Sequence, residues 1–282
     1  MLRRFTVHRP NTLAEAIDLR ARFGDDATIY AGGTELLLAM KLGVARWPNL
    51  IDIKPIAELR GVALDGGVLR IGATVTHWDL ERDPSIARAI PALTALERNV
   101  ANVRVRAAGT LAGNIAFAEP HADPPTLLMA LGSRVLLQGA KGRRTVPLTE
   151  FVTGMYQTAL GPDEILVAIE VPVPAAPVRA SYVKFQILER PSVGVAVVGA
   201  LSDGRFVAAP SVFVGAVDEM PRRVETRIFA GAAPTDVATA DALAAAARDA
   251  VEPIADLAGS AEYKRHLVGV FARRALAAFA EA

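Results

Sequence analysis

The sequence contains no cysteine. Disulfides, thiolate-held iron–sulfur clusters and a cysteine nucleophile are therefore excluded within this chain. Histidine is scarce, and His8, His77, His121 and His266 are scattered singly, which argues against a structural zinc site. Net charge is almost absent too, since 31 Lys and Arg face 30 Asp and Glu for a formal +1. No overall basic field exists to hold nucleic acid or an anionic membrane surface. No apolar run approaches the roughly 20 residues that a bilayer span needs. The segment from Met1 to His8 carries charges with no apolar stretch behind it. The expectation is a cytoplasmic protein with no export signal and no integral membrane segment.

What is present is a globular composition. Hydrophobic residues make up 52% of the 282, and charged residues 22%. That supports a real core and one large or two modest domains.

Phe5 to Val7 reads as a short strand, and Pro10-Asn11-Thr12 opens a helix with Leu13, Ile17 and Leu19 near one face, ending around Gly24. Ala27 to Tyr30 is a strand running into Gly32-Gly33-Thr34; Glu35 to Leu42 is a helix closed by Gly43; Asn49 to Ile53 is a strand. Val62 to Leu64 and Val68 to Ala73 form a hairpin across Asp65-Gly66-Gly67. Helices are expected at Thr76 to Arg82, Pro84 to Asn99 and Thr126 to Leu131, with a glycine-rich loop from Gly109 to Asn114. Arg134 to Gln138 pairs with Arg144 to Pro147, and Ile165 to Val171 is a strand of alternating exposure. The prolines of Pro172 to Pro177 mark a linker. Three β-rich runs follow (Ser181 to Leu188, Val193 to Leu201, Arg205 to Val217), then helices at Asp236 to Val251 and Ser260 to Ala280. The expected fold class is α+β, with domains at 1–175 and 176–282, the second a small three-stranded sheet plus helices.

Two segments suit an anion. Ala31-Gly32-Gly33-Thr34-Glu35-Leu36 lies between a strand end and a helix start, where unpaired N–H groups and the helix dipole favour a phosphate. Thr34 adds a hydroxyl donor. Gly109-Thr110-Leu111-Ala112-Gly113-Asn114 is the second, with the Asn114 amide as donor. Taken singly, each is ordinary loop chemistry. Together, with Asp123 nine positions past Asn114, they are far more specific, and neither a dinucleotide fingerprint nor a P-loop accompanies them.

These motifs resemble those of a known family. Ala31 to Leu37, with Lys41 behind, resembles the first flavin motif of carbon monoxide dehydrogenase medium subunits and of the FAD domain of xanthine dehydrogenase. Thr110-Leu111-Ala112-Gly113-Asn114 resembles the second, with Ala112 in place of the usual Gly, and Ala118 to Pro124 resembles the loop ending in an acidic flavin contact. Asp163 to Pro172, Tyr182 to Phe185, Ser260 to Arg265 and Arg273 to Leu276 extend the likeness over nearly the whole chain.

The resemblance implies an FAD-binding fold of the p-cresol methylhydroxylase and vanillyl-alcohol oxidase type, followed by the small α+β domain. It implies noncovalent FAD, with Gly32, Gly33, Thr34, Gly113 and Asn114 on the diphosphate. Thr110 and Asp123 fall on the ribityl or ribose side, and Leu166 and Lys184 at the isoalloxazine. Ile29, Tyr30, Ala31, Glu35, Leu36, Val100, Leu111 and Ala112 complete the lining. It implies no catalytic residue and no metal ligand on this chain. Molybdopterin and 2Fe–2S clusters belong to partner subunits, a large and a small one, in a dimer of heterotrimers. The chain itself is then an oxidoreductase subunit that relays electrons to an acceptor. A stand-alone FAD-dependent oxidoreductase and a flavin-free maturation or binding protein are the alternatives. His121, beside Glu119 and Asp123, reads as part of a polar loop, His77 as an N-terminal helix residue, and Arg98, Arg104 and Arg106 as a solvated or partner-facing basic run.

Overall fold

The computed structural model describes residues 2–173, 178–187 and 189–282. Most of the expected linker, residues 174–177, lies outside the described residues, as does Leu188. The chain opens with β1 (Thr6–His8), α1 (Leu13–Phe23), β2 (Ala27–Tyr30), α2 (Leu36–Leu42) and β3 (Asn49–Asp52). The strands form a parallel sheet in the order β1-β3-β2. Helix α1 begins where the Thr12 hydroxyl accepts the Glu15 N–H at 3.2 Å, and it buries Leu13, Ala16 and Ile17. Helix α2 stops at Gly43, whose φ of 78° closes the last turn.

The hairpin β4 (Val62–Asp65) and β5 (Val68–Gly72) follows, then six short helices: α3 (His77–Arg82), α4 (Pro84–Ala89), α5 (Pro91–Glu97), α6 (Val103–Ala108), α7 (Leu111–Phe117) and α8 (Pro124–Ala130). The single helix expected over Pro84 to Asn99 is two. Pro91 cannot donate an N–H and pushes Ile90 out of the helical region, to φ −143° and ψ 75°. Helix α6 was not anticipated, because its Val-Arg-Val-Arg pattern reads as a charged run.

Strands β6 (Arg134–Gly139) and β7 (Gly142–Pro147), helix α9 (Leu148–Phe151), the small pair β8 (Val152–Gly154) and β9 (Gln157–Thr158), and β10 (Ile165–Pro172) finish the first part. An antiparallel sheet runs β4-β5-β10-β6-β7. The alternating exposure expected of β10 is confined to its end, where Glu170 is half-buried between buried Ile169 and Val171. As the central strand, covered on both faces, it buries Ile165, Leu166, Val167, Ala168 and Ile169 alike.

The C-terminal part holds β11 (Val178–Gln186), β12 (Pro191–Ser202), β13 (Arg205–Phe206), β14 (Ser211–Gly215), β15 (Arg222–Arg223), α10 (Val237–Asp249) and α11 (Ala261–Glu281). Its sheet runs β11-β12-β14-β15 with β13 on β12, so it exceeds the three strands expected. The run Arg205 to Val217 is split between β13 and β14, and Pro210 just before β14 offers no ladder donor. Side chains alternate across a strand, and β12 uses both faces. Val193, Val195 and Val197 pack with Leu243, Phe271 and Leu276 in a core beneath the two long helices. Ala196 and Val198 turn the other way and join the core of the N-terminal part. One strand thus ties the two cores together.

Candidate cofactor cradle

The parallel register sets the first segment. Tyr30 stands opposite Asp52, so the chain leaves β2 at Ala31 beside the end of β3. Gly33 has φ 72°, and a side chain on it would run into the Tyr30 ring. The Gly33 carbonyl accepts the Leu37 N–H at 2.9 Å and the Glu35 carbonyl the Ala39 N–H at 2.9 Å, which commits the chain to α2. Among the described residues, the N–H groups of Gly32, Gly33, Thr34 and Glu35 donate to no protein acceptor. Four consecutive free donors at a turn into a helix are the backbone chemistry an anion needs.

The second segment is a helix start instead of the loop expected from its glycines. Thr76 and Thr110 form an antiparallel bridge, through His77 N–H to Gly109 O (3.0 Å) and Leu111 N–H to Val75 O (3.3 Å). The Thr110 hydroxyl caps α7 by accepting the Gly113 N–H at 3.0 Å. Ala112 is buried in the core, so the methyl that distinguishes it from glycine packs inward. Gly113 is exposed and Asn114 half-buried, and the Asn114 Oδ1 has no hydrogen-bond partner among the described residues.

The two segments touch. A Cβ on Gly32 would fall on the Ala108 carbonyl oxygen and lie 2.6 Å from Gly109 Cα. A Cβ on Gly109 would lie 3.3 Å from Thr34 Oγ1. Glycine is needed at 32 because backbone meets backbone there, which sets the free N–H groups of the first segment against the second segment.

Around this cradle the polar side chains pair among themselves. Asp123 is buried and accepts from Lys184 Nζ at 3.0 Å and from the Tyr182 hydroxyl at 2.8 Å. Lys184 Nζ also donates to Asn99 O at 2.7 Å. Burial pushes the Asp123 carboxyl up, against the pull of Lys184 and Tyr182, with nearby Glu97 adding to the rise. Burial beside that carboxylate likewise pushes the Tyr182 hydroxyl well up. His77 is buried, its Nδ1 2.6 Å from Glu97 Oε2. His121 bridges Glu119 (3.0 Å) and Asp256 (2.9 Å), and Asp256 also takes Lys264 at 2.5 Å. Arg190 of the C-terminal part grips both oxygens of Glu35 at 2.8 Å and reaches Glu119.

The expected lining residues fall as follows. Ile29, Tyr30, Ala31, Thr34, Glu35 and Leu36 are half-buried along the first segment, and Leu111 is buried behind the second. Val100 is buried in the core. Leu166 is buried at a β-bulge in β10, where the register on β6 shifts between Leu166 and Ala168. Lys41 sits at the far end of α2, exposed and away from the glycines. Arg106 does not belong to a solvated run, because Glu81 holds it at 2.8 Å.

Lys54, Glu97 and Arg190 were not anticipated. Lys54 had a signal: parallel pairing of β2 with β3 makes the residues just beyond both strands neighbours. The Glu97 and Arg190 contacts join residues 20 and 155 positions apart in sequence, where no local pattern points.

The cradle suits FAD on chemical grounds. The free N–H groups match diphosphate oxygens, and the unpartnered Asn114 Oδ1 suits a ribityl hydroxyl donor. What the geometry defines is a backbone anion cradle outside the dinucleotide-fingerprint and P-loop classes. Residues 3–174 match the family described as FAD binding domain in molybdopterin dehydrogenase, and residues 188–279 match the CO dehydrogenase flavoprotein C-terminal domain. The carbon monoxide dehydrogenase medium chain of Hydrogenophaga pseudoflava is 36% identical over 278 residues, 97% of this chain and 96% of the relative. That of Afipia carboxidovorans is 33% identical over 276 residues, covering 96% and 95%. The solved structure of the Hydrogenophaga enzyme lacking the Mo-pyranopterin moiety superposes with a TM-score of 0.95 at 35% identity, covering 99% and 98%. The chain belongs to the family of FAD-binding medium subunits of molybdenum hydroxylases.

Proposed function

We propose that the chain is the electron-relay subunit of a heteromeric molybdenum hydroxylase. It holds one FAD noncovalently and passes electrons from an iron–sulfur small subunit to an external acceptor. A molybdopterin large subunit carries out substrate oxidation, and the complex is a dimer of heterotrimers in the cytoplasm. No described helix is long and apolar enough to cross a membrane.

One observation carries this reading. Among the described residues, the carboxylates and imidazoles around the cradle are already engaged with one another. Asp123 is held by Lys184 and Tyr182, His77 by Glu97, His121 by Glu119 and Asp256, and Glu35 by Arg190. A flavoenzyme that attacks its own organic substrate needs an acid or base free to reach it. Here those groups serve structure and electrostatics instead.

The flavin supplies the exchange of single electrons for pairs. The protein's part is to bind and position it. Gly32, Gly33 and Thr34 offer N–H groups to the diphosphate, and Gly113 and Asn114 approach it from the second segment. Thr110 keeps α7 capped so that this segment holds its shape. Asp123 and Lys184 present a neutralised pair beside the ribityl chain and ring, and Leu166 supplies an apolar contact. Ile29, Tyr30, Ala31, Glu35, Leu36, Val100, Leu111 and Ala112 support the wall. The division into residues 1–175 and 176–282 is part of the proposal.

Co-expression with the neighbouring reading frames, capture through a tag on this chain, mass spectrometry and metal analysis test it. The expected product contains a cysteine-rich small subunit and a molybdenum-bearing large one. A metal-free preparation that oxidises aldehydes, N-heterocycles or carbon monoxide unaided would overturn the relay reading in favour of a stand-alone flavoenzyme.

A further inference from the structure

Just behind the first glycine segment stands a cation whose surroundings fix it from three sides. Lys54 Nζ lies 2.8 Å from Asp52 Oδ1, donates to the Ala31 carbonyl at 3.0 Å, and sits 3.7 Å from the centroid of the Tyr30 ring. Asp52 is itself buried, and its Oδ1 also accepts the Lys54 backbone N–H at 3.1 Å. Arg9 approaches the other Asp52 oxygen at 3.6 Å. Most surface lysines wander among rotamers; this one is clamped by a carboxylate, a carbonyl and an aromatic face.

The consequence follows from peptide geometry. In a trans peptide the C=O of one residue and the N–H of the next point in opposite directions within one plane. Holding the Ala31 carbonyl toward Lys54 therefore turns the Gly32 N–H to the opposite side. That N–H has no protein acceptor among the described residues. On the other side of Gly33 the Tyr30 ring fills the space that a side chain there would need. Lys54 braces the ring and the carbonyl together, so it supports the turn at both glycines.

We propose that Lys54 is a positioning residue for the cofactor diphosphate, pinning the Ala31 carbonyl so that the Gly32 N–H stays aimed at the phosphate. It rests on the FAD reading above and adds a specific residue to it. Lys54 does not touch the phosphate in this account. It removes the freedom of the peptide to flip, and so lowers the ordering cost when the anion arrives.

The test compares two ligands on the full chain freed of flavin. FAD carries the diphosphate and riboflavin carries no phosphate, and quenching of flavin fluorescence reports both. Lys54→Met keeps the length and loses the charge-assisted hydrogen bond. It should weaken FAD by about tenfold and leave riboflavin unchanged, so that the preference for FAD falls by the same factor. Lys54→Arg, which also donates to a carbonyl, should restore most of that preference. Should Lys54→Met not fold, Lys54→Leu, which also removes the donor, decides by the same ratio. An unchanged preference for FAD in Lys54→Met overturns the inference, and so does an equal loss of FAD and riboflavin. If the unaltered chain takes up no FAD, the flavin reading itself fails first, and this result is distinct from the others.

Discussion

Replacing Gly32 by alanine introduces a methyl group at the one place where the two glycine segments meet backbone to backbone. The new Cβ would lie 2.6 Å from Gly109 Cα and 3.0 Å from Ala108 C, as well as on the Ala108 oxygen. Carbon atoms rest at about 3.5–4.0 Å, so the segments must part by roughly 1 Å. Neither wall is a flexible side-chain tip. Overpacking of this kind costs about 1–3 kcal/mol. Parting the segments also moves the free N–H groups of Gly32, Gly33, Thr34 and Glu35, which the proposal sets on the diphosphate, away from the second segment. Losing one hydrogen bond to a charged group is worth about 1.5–3 kcal/mol, which converts to a ten- to hundredfold weaker FAD complex. Gly43→Ala is the control. Its φ of 78° makes alanine strained, yet open space surrounds it and it stands at the far end of α2. That variant should lose about 1–2 kcal/mol of stability and keep its FAD affinity. Fluorescence titration of the flavin-free chain, with thermal unfolding alongside, separates the two. A Gly32→Ala protein that binds FAD as tightly as the unaltered chain would refute the cradle.

Other outcomes follow from the same geometry. Lys184→Met strips the buried Asp123 of its cation and should cost about 3–5 kcal/mol in chemical denaturation, part of it regained when Asp123→Asn is added; a cost below about 1 kcal/mol would mean the pair is not formed. Although burial raises it, Asp218 is held below its usual value by Arg222 and by the Glu252 and Glu219 N–H groups. A depressed carboxyl contributes stability above the ordinary Asp range and loses it as pH falls, so below about pH 4 unfolding should ease in the native chain more than in Asp218→Asn. Acid precipitation should release FAD into the supernatant, since no cysteine exists and no histidine lies in either glycine segment. A yellow pellet would contradict noncovalent binding.

Local signals were legible where local chemistry decides. Thr12 and Gly43 bracket their helices as capping residues should, and the Gly66-Gly67 turn makes its hairpin. The turn of the first glycine segment into α2 was readable because a helix start is a sequence-local feature. The contact between the two glycine segments was not, since Gly32 and Gly109 are far apart and only the packing brings them together. The second segment looked like a loop because Gly109 and Gly113 mask a helix that Thr110 caps. β10 was misread because a central strand loses the alternation that a half-exposed one keeps. The pairing of Asp123 with Lys184 shows the same limit. Each residue was singled out alone as a flavin contact, while the ion pair depends on β11 crossing close to the start of α8.

The central claim is that flavin on this chain receives its electrons from a partner. The direct measurement follows bleaching of the flavin's visible colour under anaerobic conditions after adding the organic substrate or carbon monoxide that the assembled complex oxidises. The isolated FAD-loaded chain should keep its colour indefinitely. The same chain within the assembled complex should bleach, and omission of the iron–sulfur subunit should abolish that bleaching. Reduction of the isolated chain by the substrate would contradict the account.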